Sequence, residues 1–375
     1  MANKKKIIRI TTIPRSLRAF SDGMLKELSE SYEVVAVSSP GEELEEVAAK
    51  ECVRTIAVHL ERHISVFKDF RSLVSMVKVF RNEKPYMVHS MTPKAGMISM
   101  LAGWLAGVPV RVHTFTGLVW PTSKGLKRKI LMATDWLTCA CATHVVPEGQ
   151  GVLNDLRNHI TKKPMKVLGY GNVKGVDMEK FNPARFADVK KDEGKFTFIF
   201  VGRIVGDKGI NELIEAFTML HDKYPQTRLV LVGKYEENLD PVQPITLERI
   251  MANPAIDAVG PKYGEDLLVE YMKADCHVLP SYREGFPNTP MEAGALGLPN
   301  IVTDINGARE IVVDGENGLI VPPRTVLPLY EAMERMVTDV EMRNRLSGKA
   351  REMINSRFEK SFVRKCLYDF YESIM

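Results

Sequence analysis

Two carboxylates eight positions apart, Glu284 and Glu292, stand in the segment S-Y-R-E-G-F-P-N-T-P-M-E-A-G-A-L-G-L-P, from Ser281 to Pro299. Val278-Leu279-Pro280 ahead of it reads as the end of a strand, and Pro290 to Leu296 as a helix. Thr289 is placed to be the N-cap and Pro290 the first helical residue, where proline's missing N–H is no loss. A loop with free amides that opens into a helix aims the positive dipole end at one point, a seat for phosphate. One glutamate lies ahead of that seat and the other one turn into the helix. Phosphate flanked by two hydroxyl-binding carboxylates is the chemistry of a sugar nucleotide. Thr289 and Glu292 also have the spacing of a capping box, in which Glu292 would only bond back to the cap amide. Both readings of Glu292 stand at this point.

A second cluster follows a continuous apolar strand. Gly202-Arg203 ends that strand, and Gly206-Asp207-Lys208-Gly209 leads into the next helix. The spacing aims a guanidinium and an ammonium at one strand end. A departing diphosphate gathers negative charge as its bond breaks, so fixed cations there stabilise the transition state more than the ground state. Taken alone, the two residues would be a surface arginine and lysine in a turn. A third candidate, His113 in R-V-H-T-F-T-G, is expected to project from the carboxyl edge of its strand beside a glycine loop. A lone histidine is more often structural than catalytic.

The elements that must carry these residues alternate almost throughout. Strands are predicted at Ile7–Thr11, Tyr32–Val37, Met87–Ser90 and Val110–His113, with helices at Ser21–Glu30, Ile64–Asn82 and Pro93–Ala106. After a looser stretch at 169–183 the pattern restarts. Strands are expected at Phe196–Val201, Arg228–Val232, Cys276–Leu279, Ile301–Thr303 and Leu319–Val321. Helices fall at Ile210–Leu220 and near Leu267–Lys273. Short apolar strands alternating with helices imply an α/β protein with parallel sheets covered on both faces. Ligands of such sheets bind beyond the carboxyl ends of the strands.

The E-x7-E segment and the G-R…K-G element together resemble the donor site of retaining glycosyltransferases of the GT-B fold, family 4. Gly307-Ala308-Arg309-Glu310-Ile311-Val312 followed by D-G-E-N-G-L-I-V-P-P, and the stretch from Asn172 to Pro183, fit the same family. The resemblance implies two Rossmann-like doubly wound domains facing across a cleft. Residues 1–175 would bind acceptor and 176–357 the donor, with 358–375 a helix crossing back to the first domain. It gives Glu284 the donor sugar's hydroxyls, Glu292 the ribose, Arg203 and Lys208 the diphosphate, and His113 a place lining the cleft near the sugar. Gly202, Phe286, Asn288 and Thr289 complete the implied donor-binding set. Glu310 is explained by an ordinary helix start. Loops Ile13–Asp22 and Thr116–Lys124 are where specificity is expected. The motifs resemble bacterial enzymes of capsule, O-antigen or exopolysaccharide assembly. A UDP-N-acetylhexosamine donor and a lipid-linked or glycan acceptor follow from that resemblance. An epimerase of related fold would need further acid/base carboxylates, and a non-catalytic scaffold has no chemical reason to keep all four donor-site residues.

The 375 residues suffice for two domains. The five cysteines are odd in number and scattered, which favours reduced thiols in the cytoplasm. No Asp-x-Asp or clustered His/Cys pattern suggests a metal, and no cofactor is expected. Charge is uneven. Residues 1–175 carry 26 Lys and Arg against 15 Asp and Glu, a net of +11, and the remainder −7, within a total of +4. No nucleic-acid-binding motif accompanies the basic half, so an anionic membrane is the expected partner and nucleic acid is not. Lys124, Lys127, Arg128 and Lys129 lie next to Leu126, Ile130, Leu131 and Trp136 in a helical pattern. The cations are expected to meet headgroups, with Leu131 and Trp136 in the core. No run is long and apolar enough to span a bilayer, so a peripheral place on the inner membrane face is expected.

Overall fold

The computed structural model describes residues 4–61, 65–236 and 240–375. They form two compact units, Met1–Lys174 with Val363–Met375, and Gly175–Phe362.

The first unit runs β1 (Lys6–Ile10), α1 (Pro14–Ser21), α2 (Met24–Ser31), β2 (Glu33–Ser38), α3 (Glu42–Glu51), β3 (Arg54–Ala57), α4 (Val66–Glu83), β4 (Met87–Ser90), α5 (Pro93–Leu105), β5 (Val110–Phe115), α6 (Gly125–Cys141), β6 (His144–Pro147) and α7 (Gln150–His159). The strands make one parallel sheet in the order β3-β2-β1-β4-β5-β6. Ile7, Ile8 and Ile10 of β1 and Met87 and Val88 of β4 are fully buried, as strands covered by helices on both faces must be.

Three sequence expectations change here. Residues 14–20, expected as loop, belong to α1, with Pro14 at the helix start. The helix expected from Ser21 begins at Met24, because Asp22 (φ 39°) and Gly23 (φ 90°) turn the chain between α1 and α2. The helix expected from Ile64 starts at Val66, and Ile64 lies outside the described residues. Glycine at its N-cap gives α2 no side chain to satisfy its first amides. Glu51, 2 % exposed at the end of α3, supplies the acceptor instead, taking bonds from the N–H groups of Gly23 (2.7 Å) and Leu25 (3.0 Å).

The second unit runs β7 (Phe196–Val201), α8 (Ile210–Lys223), β8 (Thr227–Val232), α9 (Pro244–Ala252), β9 (Ile256–Gly260), α10 (Gly264–Lys273), β10 (Cys276–Leu279), α11 (Asn288–Ala295), β11 (Asn300–Thr303), α12 (Ala308–Ile311), β12 (Gly318–Val321), α13 (Val326–Thr338) and α14 (Val340–Phe358). Its sheet is also parallel, in the order β12-β11-β10-β7-β8-β9. The chain winds outward through β8 and β9 and then returns to lay β10 on the other side of β7. The winding direction therefore reverses between β7 and β10, and the corresponding reversal in the first sheet falls between β1 and β4. Such reversals open crevices at the carboxyl ends of the strands.

The last helix, α15 (Lys360–Ile374), begins in the second unit, and its residues from Val363 belong to the first. Leu367, Phe370 and Tyr371 join Ile7 and Val112 in the first unit's core. There the buried Arg9 guanidinium donates to the Tyr371 hydroxyl at 2.6 Å and meets His89 Nδ1 at 2.9 Å. Burial, and then the Arg9 charge, hold the His89 imidazole well below its ordinary pKa. Neutral His89 can thus accept from Arg9 at Nδ1 while its Nε2 bonds Thr114 Oγ1 at 2.7 Å.

Candidate functional site

The reversal in the second sheet brings together the loops after β7 and β10. After Val201 the chain passes Gly202 and Arg203 and makes one tight turn at Gly206–Lys208 before α8. Gly209 then adopts φ 71°, and a Cβ there would lie 2.1 Å from the carbonyl oxygen of Pro280, so only glycine lets the two loops touch. Across this contact the Tyr282 N–H donates to the Asp207 carbonyl at 2.9 Å, and Arg283 Nη2 donates to Asp207 Oδ2 at 3.2 Å. The Lys208 ammonium is thereby brought onto Glu284 Oε1, which also accepts from Ser281 Oγ at 2.8 Å. Both charged side chains are mostly enclosed, 17 % and 15 % exposed. Arg203 is more open and pairs with Glu236 at 3.1 Å.

The helix that carries Glu292 differs from its sequence reading. It starts at Asn288, and its cap position is Pro287, with no side-chain cap bond. Thr289 is therefore the second helical residue and not the N-cap, so the Thr289–Glu292 capping box is not formed. Glu292 Oε2 instead faces the buried Tyr271 hydroxyl at 3.4 Å. Burial and then the Glu292 charge push the Tyr271 pKa up. Asn288 is exposed and Thr289 half-buried at the helix mouth. Phe286 of the implied donor set turns its side chain into the core. It is 7 % exposed, lies in the second unit's core and meets Phe358 ring-to-ring at 5.5 Å. Its backbone is what shapes the loop, because Gly307 (φ 75°) approaches so closely that a Cβ would stand 2.2 Å from the Gly285 carbonyl oxygen. Asp207, Ser281, Tyr282 and Gly307 lie inside the motifs but have no role from their spacing, and Glu236 lies outside them.

In the first unit, β5 continues to Phe115, so His113 lies two residues inside the strand and not at its edge. Its ring is 1 % exposed, bonded to Ser90 Oγ at 2.8 Å and packed edge-on against Phe115 at 4.4 Å. Gly96 of α5 leaves room for it, since a Cβ there would sit 2.3 Å from the imidazole. Burial pushes the His113 pKa down to about 3, so the ring is neutral at physiological pH. The reversal between β1 and β4 presents Thr12 and Thr92, whose hydroxyls bond each other at 2.6 Å.

Lys124, Lys127, Arg128 and Lys129 are all exposed at the start of α6, with Arg128 over the Trp120 ring at 5.6 Å. Leu131 packs partly buried against the core as expected. Trp136 does not, being 56 % exposed, because the inward side of α6 at that level is filled by Asp135, Thr138 and Cys139. Among the described residues no group of three His, Cys, Asp or Glu side chains is placed to hold a metal ion, and no helix is long and apolar enough to cross a membrane.

Family models match both halves of the chain. "Glycosyl transferase 4-like domain" covers residues 19–171, and "Glycosyl transferases group 1" covers 182–353, the span that holds Arg203, Lys208, Glu284 and Glu292. The capsular polysaccharide biosynthesis glycosyltransferase CapM of Staphylococcus aureus is 30% identical over 99% of this chain and 98% of its own length. A UDP-Gal:α-D-GlcNAc-diphosphoundecaprenol α-1,3-galactosyltransferase of Escherichia coli is 29% identical over 79% of this chain and 78% of its own. In fold, the chain is similar to Anabaena HepE in complex with UDP. That match has a TM-score of 0.80 and 16% identity, and covers 98% of this chain and 100% of the other.

Proposed function

The chain belongs to the GT-B glycosyltransferases of the bacterial surface-polysaccharide type, and we propose that it is a retaining hexosyltransferase that works without a metal. Its donor is a UDP-sugar, an N-acetylhexosamine in the leading version. Its acceptor is a lipid-linked sugar diphosphate at an anionic membrane surface on the inner face of the cell membrane, where α6 meets the headgroups. The observation that carries this reading is the Lys208–Glu284 pair at the reversal of the second sheet, beside the open first turn of α11.

In this reading the donor diphosphate takes Lys208 from Glu284 and lies between that ammonium, the Arg203 guanidinium and the α11 amides. Glu284 is freed to accept hydrogen bonds from the sugar hydroxyls, and Glu292 from the ribose. The bond between the anomeric carbon and the phosphate oxygen breaks, and its electron pair leaves with UDP. The acceptor hydroxyl oxygen attacks the same face, and its proton passes to a departing phosphate oxygen. Arg203, Lys208 and the helix start stabilise the charge that develops on that oxygen. His113, neutral and enclosed by Ser90, Phe115 and Gly96, shapes the strand β5 in this reading and is not called on as acid or base.

Calorimetric titration of UDP, GDP, ADP and CMP against the protein in EDTA tests the reading. Binding of UDP alone is expected. If no nucleotide binds, the donor site is wrongly assigned and the scaffold alternative takes its place.

A further inference from the structure

One face of the first sheet is covered by three neighbouring helices. α5 packs on β4 and β5 and lies between α4 and α6. α4 turns Ser72, Met76 and Phe80 inward. Outward it presents Val66, Phe67, Phe70 and Val74, which are 77 %, 87 %, 65 % and 39 % exposed. Positions 67, 70 and 74 fall on one helical stripe, so these side chains form a continuous apolar strip. Single exposed apolar residues are ordinary, but a strip with two phenylalanines standing in water needs an occupant.

The charge around the strip says which occupant. Arg71 and Lys78 are exposed on α4, and Lys127, Arg128 and Lys129 on α6. The acids of these helices are turned away or taken. Asp69 is paired with Lys94 at 2.6 Å, Glu83 with Arg54 and Lys6, and Asp135 is buried. A second copy of the chain docking symmetrically on this face would bring both copies' Arg71 and Lys78 into one interface, and like charges at an interface repel. An anionic bilayer offers phosphates to the cations and an acyl boundary to the strip.

We propose that the outer face of α4 is a lipid-inserting surface. Phe67, Phe70 and Val74 enter the boundary between headgroups and acyl chains, while Arg71 and Lys78 bind headgroup phosphates. The assignment deepens the acceptor reading above and rests on it for the presence of a bilayer. The cations of α6 then supply attraction, and α4 supplies the apolar hold that keeps the protein on the surface as salt rises.

Cosedimentation of the full chain with vesicles tests the proposal, using phosphatidylcholine with or without about one-third phosphatidylglycerol. The wild type is expected to bind the anionic vesicles. Phe67→Ser/Phe70→Ser should bind them at least ~10-fold more weakly, because interfacial binding scales with buried apolar area. Arg71→Ser/Lys78→Ser should bind more weakly at low salt and lose much of its salt dependence. UDP affinity without vesicles should be the same in all three proteins. Wild-type failure to bind, or unchanged binding by Phe67→Ser/Phe70→Ser, overturns the proposal. So does a solution dimer that this variant converts to monomer with vesicle binding intact, which would make the strip an interface between copies. UDP titration on the same samples separates the two readings. Vesicle binding that depends on Phe67 and Phe70 with no nucleotide bound would refute the donor site alone.

Discussion

Removing the Lys208 ammonium tests the donor site at its centre. In the structure Lys208 meets Glu284, itself bonded to Ser281, and both charged side chains are mostly shielded from water. A charge-assisted hydrogen bond to a phosphate oxygen in such a place contributes about 1.5–3 kcal/mol, which is roughly 10- to 150-fold in affinity. Lys208→Ala should therefore weaken UDP by at least ~10-fold, since it also leaves the Glu284 carboxylate un-neutralised beside the incoming diphosphate. Uridine has no phosphate and should change by less than ~3-fold, the scatter expected of a site that keeps its shape. Lys208→Ala/Glu284→Gln removes the cation and the opposing charge together. It should regain part of the lost UDP affinity, because the two residues are in contact and their effects are coupled. Isothermal titration of uridine and UDP against the wild type and the three variants, including Glu284→Gln alone, reads every term. Equal losses for uridine and UDP would refute the phosphate assignment. Strict additivity in the cycle would refute the exchange of Lys208 between Glu284 and the donor.

Three further outcomes follow from the same structure. Glu284→Gln keeps shape and removes charge, so turnover should fall ~100-fold or more while UDP binds no more weakly; unchanged turnover would take the carboxylate off the donor sugar. Gly209→Ala must move a Cβ out of a 2.1 Å approach to Pro280 at φ 71°, and should lower stability by ~2 kcal/mol or more and displace the Lys208 loop. A thermal midpoint and UDP affinity equal to wild type would contradict the contact. Burial holds the Asp135 pKa up at about 7. Below its unfolded pKa the acid is neutral in both states. As pH rises to about 7, the folded form keeps a proton that the unfolded form releases, so stability falls through that window and is level above it. A shift of this size is worth up to ~4 kcal/mol, and Asp135→Asn should remove the slope; identical pH dependence in urea unfolding of the two proteins would rule out the buried acid as its source.

What the sequence disclosed and what it hid divide along physical lines. The largely apolar strand Phe196–Val201 has the bounds expected of it, because parallel strands buried on both faces are built mostly from apolar residues, and Met87–Ser90 keeps its bounds although His89 and Ser90 are polar. α3 and β3 escaped notice because their burial is shallow. β3 holds no fully buried residue, and α3 turns only Leu44, Val47 and Glu51 inward. Thr289-Pro290 is a strong local signal for a helix start, yet α11 opens two residues earlier. The cap there is Pro287 in an extended conformation, with Gly307 packed against the Gly285 carbonyl just ahead of it. Gly117 reads as a turn, which puts His113 near the end of its strand. That β5 reaches Phe115 depends on the pairing of Thr114 and Phe115 with Val146 and Pro147, which no local pattern announces.

The candidate site itself was readable as parts and not as an arrangement. Residues 203, 208, 284 and 292 stand out by type and spacing, but only the strand order explains why 208 and 284, far apart in sequence, meet. β10 lies against β7 because the winding reverses there, and Gly209 against Pro280 lets the loops close without a side chain between them. Once in contact, a lysine and a glutamate this enclosed must pair, since either one alone would bear an uncompensated desolvation cost. Without donor, then, the pair holds each charge near the place where it is wanted. When a diphosphate takes the ammonium, the carboxylate must find new donors, and sugar hydroxyls are the groups that arrive with that diphosphate. In the proposed reading, a nucleotide without its sugar would satisfy Lys208 and leave Glu284 with the Ser281 hydroxyl alone. If the proposed roles hold, the charge pair favours the intact donor over the spent nucleotide, with the difference set by the hydroxyls that reach Glu284.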